Sequence, residues 1–370
     1  MKLPLERLTC EQRLESLPLT SYARQSERFR EMAQEADDRK VKNYYLGVAK
    51  LLEQFDNDEK YVRGFEKNAG SVEQSEHGSR ASLILAKVTL FFNVSLFVAK
   101  TVASALSHSF SIITSTVDSA ADITSGLIIL VSNRAIKRRD LRIYPRGRTR
   151  LEPLALIFIS FIMGYASVQI MGKSVEALVL NNIKPDVCLS TILIMAITIV
   201  VKIVLCAVCY ANKTDQARVL AQDHRNDCLS NSVAIICAYL SDRFWKQLDP
   251  IGAILVSIYL VYSWMKTGYN QVNIISGRTA KPQLINRIIK ISVDHSPRLQ
   301  KLDTVYAYHL GSKFLVEVHV MLDGNMTLRE AHDITEPLQR KLEYLPDVER
   351  AFVHADYEVD HRPEYEHKIV

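Results

Sequence analysis

The chain has 370 residues, 48% of them hydrophobic and 24% charged, with 46 lysines and arginines against 41 acids. Its mean hydropathy is zero, but the apolar residues are gathered in blocks, which excludes a wholly disordered chain and a purely soluble enzyme. Thirteen glycines and six cysteines exclude collagen and a disulfide scaffold.

Residues 1–80 mix charges of both signs with scattered apolar positions such as Tyr45, Leu46, Val48, Leu51 and Leu52. They read as a cytosolic N-terminal tail with some amphipathic helix, partly disordered or docked on a partner. The first 20 residues hold no unbroken apolar stretch of the about 7 to 15 residues that a secretory signal needs, so the N-terminus is expected in the cytosol.

Residues 81–273 form the expected six-span transmembrane domain. Apolar segments follow at 82–104, 108–131, 153–173, 188–211, 217–240 and 250–271. Each approaches the about 20 residues that cross a bilayer, giving six spans, two of them weakened by internal charge. Residues 187–210 carry Lys202 as their one charge. The connection 134–150 holds eight basic residues against the single acid Asp140, which places it and both termini in the cytosol and its arginines near lipid headgroups rather than nucleic acid. Cys206 and Cys209 form a CxxC inside an apolar helix with no second such motif, a packing role rather than a metal or redox one.

Residues 279–360 read as a small α+β domain, with 361–370 as a tail. A helix is expected over 282–293 and strands over 301–309 and 313–322. Phe314, Val316, Val318 and Val320 alternate with Glu317 and His319, the pattern of a half-buried strand. Thr327 to Glu330 is a capping box opening an amphipathic helix whose stripe is Leu328, Ala331, Thr335, Leu338 and Leu342, ending before Pro346. A third strand follows over 347–356.

The informative anomaly is acid inside the spans. Asp118 and Asp122 lie four residues apart in the second, and Asp223 and Asp227 in the fifth, so each pair projects from one helical face. A charge at the bilayer centre costs at least about 2.5 to 3.5 kcal/mol, so four acids in two spans require a partner, and two such pairs facing each other make a cation site. The same spacing in two spans, with no Lys or Arg near the first pair in sequence, favours coordination. Asp223 and Asp227 also fit the entry to a span starting at Cys228. His224 and Arg225 diverge from the second pair by about 100 to 200 degrees on a helix of 3.6 residues per turn, so His224 is expected not to be a ligand. Asn93 and Asn231 are neutral oxygen donors that fit either a wider coordination shell or interhelical hydrogen bonds.

An all-carboxylate site suits Mn2+, with Fe2+ the nearest competitor, whereas imidazole favours Zn2+. Crowded carboxylates bind protons when empty, so metal and protons compete for the same oxygens, and no GxxxxGK[ST] is present to couple transport to ATP. A cation channel with an acidic filter and a non-transporting scaffold are the other classes open to such a chain.

Residues 80–360 resemble the cation diffusion facilitators. The resemblance rests on the DxxxD of Asp118 and Asp122, the run YPRGRTRLEP (Tyr144 to Pro153), DHRND in the fifth span and the C-terminal PDVERAFVHADYEVDHRPEYEH. It implies a six-helix transmembrane domain followed by a ferredoxin-like cytosolic domain, a homodimer formed through both, and divalent-metal/proton antiport out of the cytosol with no enzymatic activity. Zinc-transporting members commonly carry His first in each pair; Asp in both resembles the manganese subgroup. The implied membrane is that of the Golgi, vacuole or endosome ahead of the cell surface. His319, His332, His354 and Asp356 occupy positions resembling regulatory metal ligands of zinc-type relatives, with Leu302 where a further ligand would stand, and they also read as plain surface residues. The basic connection has no His, so the peripheral site of some zinc members is not expected.

Overall fold

A computed structural model describes residues 21–36, 38–67, 75–107, 110–138, 140, 142–180, 189–212 and 214–358. In chain order these form α1 (Ser21–Glu35), α2 (Arg39–Lys67), α3 (Ser75–Ser107), α4 (Phe110–Lys137), α5 (Leu151–Val179), α6 (Leu189–Ala211), α7 (Asp215–Arg243) and α8 (Leu248–Ile275). Then come α9 (Pro282–Val293), β1 (Lys301–Leu310), β2 (Lys313–Met321), α10 (Leu328–Glu343) and β3 (Val348–Asp356). They divide into two compact units.

One unit holds α3 to α8. Of these, α3, α5, α6 and α8 are long and apolar enough to cross a membrane. Helices α4 and α7 are as long; α4 is about as apolar overall as α3, whereas its acids and amides make α7 the least apolar of the six. Helix α7 starts well before Cys228: the Thr214 hydroxyl accepts from the Ala217 N–H and caps it, so Asp223 lies two turns inside the helix rather than at its entry. The helices pack as neighbours α3 with α4, α5 with α8, and α6 with α7, while α7 also packs on α8. Leu156, Ile159, Ile129 and Trp264 form the apolar core, and Cys209 packs in it as a small hydrophobe.

Close approach of α7 and α8 depends on a glycine. A Cβ at Gly252 would overlap Cys237 Sγ and lie 3.1 Å from Cys237 Cβ. Small residues at such crossings let helix backbones meet where apolar lipid supplies no hydrophobic drive. Gly252→Ala should therefore destabilise the full-length protein in detergent by about 1–3 kcal/mol. Cys237→Ala in the same chain should recover part of the loss, read by thermal unfolding.

The other unit joins both ends of the chain. β2 pairs with β1 on one side and, in parallel, with β3 on the other, so the order is β1-β2-β3. Parallel pairing needs a long crossover, which α10 supplies. Val316, Val318 and Val320 are wholly buried against Ile288, Leu338 and Leu342. The alternation in β2 thus ran as the sequence indicated, and the strand and helix bounds fall within two residues of the expected ones. One member of the expected α10 stripe is misplaced: Leu328 is 88% exposed, because it stands in the first turn, ahead of the buried face made by Ile334, Leu338 and Leu342.

The capping box is formed on both sides. Thr327 N–H donates to Glu330 Oε2 at 2.9 Å, and Glu330 N–H donates to Thr327 Oγ1 at 3.3 Å. The Thr327 backbone and hydroxyl donors hold the Glu330 carboxyl below its ordinary value. Their support of α10 is thus present above pH 4.5 and is lost as the pH falls through the depressed value.

The N-terminal segment is not a free tail over its described residues. Helices α1 and α2 close on each other through the buried Ala33 and Ala49, and Ser26 Oγ donates to Ala49 O across the pair at 3.0 Å. Arg287 of α9 then donates from Nε and Nη2 to Asp58 of α2, both at 2.6 Å, and from Nη1 to Asp347 at 3.0 Å. The Lys290 ammonium lies 4.4 Å from the Tyr22 ring centre and 5.6 Å from that of Phe55, within cation–π range. Asp58 is 3% exposed, so deleting its partner strands a buried charge. Arg287→Ala should cost this unit about 3 kcal/mol and open α1–α2 to limited proteolysis; Arg287→Ala with Asp58→Ala should cost less than Arg287→Ala alone.

Candidate metal centre

The four-residue spacing does what helix geometry requires. Asp118 and Asp122 rise on one face of α4, Asp223 and Asp227 on one face of α7, and all four line a single cavity of about 60 Å³. That volume admits several waters or one partly hydrated ion. Lys100 from α3, Lys202 from α6 and Asn231 from α7 share the lining, and Leu260 and Trp264 of α8 close an apolar side.

The acids are unequally satisfied. Asp223 is 2% exposed, and neither of its carboxylate oxygens has a hydrogen-bond partner among the described residues. Asp122 is 5% exposed and its Oδ1 is equally bare. Buried polar groups are nearly always paired, and a buried unpaired carboxylate is among the costliest exceptions. Oxygens left open on the wall of a polar cavity are what a cation site presents, and this donor set fits a hard or borderline divalent ion.

Ligand geometry is partly assembled. Asp223, His224 and Asp227 offer ligand atoms that lie within 4.8 Å of one another, the one such group of three among the described residues. His224 therefore stands closer to the pair than the helical-wheel angle suggested. Its ring is fully buried, and neither nitrogen has a hydrogen-bond partner among the described residues. The wheel measures the direction of Cβ, whereas the imidazole reaches well beyond it. His224 is not among the residues that line the cavity. Arg225 does turn away, donating to Tyr259 Oη and Asn226 Oδ1.

Asp122 does not join that group, because a lysine stands between the helices. Lys202 Nζ donates to Asp122 Oδ2 at 2.8 Å and to Asp227 Oδ2 at 2.6 Å, one acid from each pair. Lys202 is 2% exposed. Lys100, also buried, donates to Ser119 Oγ at 3.0 Å beside Asp118. The expectation that no basic residue stands near the first pair holds only along the sequence; in space there are two. The signal was present in α6, where one lysine lies at mid-length in a 23-residue apolar helix and requires a buried acid.

The remaining candidates separate. Asn231 lines the cavity; Asn93 is buried with its Oδ1 unpartnered but lies outside the lining. In the other unit His319 and His354 are register partners on β2 and β3, which sets their rings 5.1 Å apart. Asp356 reaches both, 3.6 Å from His319 Nδ1 and 3.1 Å from His354 Nε2. His332 is not with them: it lies on exposed α10 beside Asp333 and Glu336.

Residues 86–276 match the family model described as the cation efflux transmembrane domain, and residues 280–358 match that of the cation efflux protein, cytoplasmic domain. The chain belongs to the cation efflux family. Metal tolerance protein 7 of Oryza sativa subsp. japonica is 34% identical over 90% of this chain and 86% of its own length. Metal tolerance protein 10 of Arabidopsis thaliana is 34% identical over 89% and 78%, and metal tolerance protein 11 of the same plant 32% over 88% and 84%. Membership makes this a multi-pass integral membrane protein of the cation diffusion facilitators, which are transporters of divalent metal cations, not enzymes, and whose cytoplasmic domain serves dimerisation.

Proposed function

We propose that the chain is a homodimeric antiporter that carries Mn2+ out of the cytosol in exchange for protons. Asp118, Asp122, Asp223 and Asp227 are the ligands, with Asn231 completing the shell. All six helices α3 to α8 span the bilayer in this reading, and the basic connection, residues 1–80 and the domain over 279–360 face the cytosol. The observation that carries it is Asp223: a buried carboxylate with both oxygens open, on the wall of a cavity that three more aspartates share.

Oxygen donors favour Mn2+ over softer competitors. The same oxygens serve the proton, since a carboxylate stripped of its metal in a low-dielectric site regains stability by protonation. Exchange then requires only that one set of acids open to each face in turn. Asp223→Asn preserves shape and removes the charge; in proteoliposomes with an opposing pH gradient it should reduce Mn2+ uptake to background while the protein inserts and remains a dimer. Wild-type uptake by Asp223→Asn and Asp122→Asn alike would overturn the assignment.

A second reading has one observation of its own. His224 joins Asp223 and Asp227 within 4.8 Å, and an imidazole in the site favours Zn2+. Competition uptake among Mn2+, Fe2+, Zn2+ and Co2+ separates the two. In the manganese reading Mn2+ is the best competitor and His224→Ala leaves its transport intact; in the zinc reading Zn2+ competes best and His224→Ala abolishes its uptake.

A further inference from the structure

Lys202 has no role in a site made of carboxylates alone. Its ammonium nevertheless occupies the place where an ion held by both acidic helices would sit, touching Asp122 of α4 and Asp227 of α7 at hydrogen-bond distance. A surface ion pair explains nothing here, because the side chain is 2% exposed and its two partners come from elements 80 and 25 residues away. Among the described residues the ammonium donates to one oxygen on each of two acids, Asp122 and Asp227. Asp223, on the same cavity, is left wholly bare.

Two distances decide what this arrangement does. The ammonium stands 2.8 and 2.6 Å from its two oxygens, whereas a transition metal binds carboxylate oxygen at about 2.0–2.2 Å. Both cations cannot lie between the same two carboxylates, and a metal there would draw the helices closer than the lysine allows. Four carboxylates and two lysines leave two negative charges when all are ionised, the charge of one divalent cation, so the ammonium need not lose its proton when the metal arrives.

We propose that Lys202 is a tethered competitor of the transported metal. It bridges Asp122 and Asp227 in the metal-free carrier, yields that position when the ion binds, and returns to expel it. The incoming metal first meets the open oxygens of Asp223 and then takes Asp227 and Asp122 from the lysine. This rests on the acidic site proposed above, and it adds a residue that sets affinity and release rather than one that holds the ion.

The test uses the full-length protein, with Mn2+ alone as the probe, at one fixed pH. Lys202→Met keeps the length of the stem and removes the charge. Binding to the purified variant should tighten about tenfold, the order set by one lost charge-assisted hydrogen bond. In proteoliposomes its KM should fall and its maximal rate should fall with it, because release is no longer assisted. A lysine that merely braced the helices would give the opposite, weaker binding on removal, and weaker or unchanged binding by a monodisperse Lys202→Met overturns the proposal. Lys202→Arg, with a fork that grips two carboxylates more firmly, should bind Mn2+ about tenfold more weakly. It decides the matter if Lys202→Met does not fold, and unchanged affinity in Lys202→Arg counts against the proposal. Asp223→Asn, measured beside them, separates the two failures: transport surviving that change defeats the acidic site itself, whereas loss of transport there with no affinity shift at Lys202 defeats only the competitor.

Discussion

A carboxylate buried in an apolar helix bundle needs either a cation beside it or a proton on it. Everything notable in the helical unit follows from that constraint. Four aspartates on α4 and α7 are placed where water cannot solvate them freely, and two lysines from α3 and α6 reach into the same cavity. The cavity is lined by four carboxylates against two ammonium groups, and among the described residues Asp223 has no hydrogen-bond partner. A site finished by its own lysines would be a structural ion cluster; in the proposed reading, one left short by two charges is a receptor for something brought from outside. Membership of the cation efflux family says what kind of thing that is.

How much of this was legible in the sequence depended on whether the cause was local. The i, i+4 spacing of each acid pair is a property of one helix and could be read at once. So could the period-two alternation of β2 and the Thr327–Glu330 box, which is why the small sheet domain was placed nearly residue by residue. In the sequence Lys202 is only the one charge of an apolar run, because its meaning lies in a contact with a residue 80 positions away. His224 was set aside on a wheel drawn from Cβ directions, which ignores the reach of an aromatic ring. The expected apolar segments overlap α3 to α8, and α7 is the least apolar of these helices because of the acids and amides it carries.

The paired histidines of the sheet show the limit from another direction. His319 and His354 face one another because parallel pairing puts them in register, and no local pattern gives the register of strands separated by a helix. Their shared neighbour Asp356 comes from the end of the same strand as His354. Asp58 shows a similar effect: it lies in the charged run FDNDEK, which reads as a solvated face, yet it is buried against Arg287.

That last contact bears on how the protein is made. Asp58 and Arg287 are 229 residues apart, and the strands that complete their unit come later still. A ribosome would release α1 and α2 long before α9 exists, with every helix of the bundle synthesised in between. The hairpin must therefore wait, its buried faces uncovered and its acid unpaired, through the whole of membrane insertion. Maturation of this unit is a late event, and any factor that shields nascent apolar surface would have its longest task at the amino-terminal end.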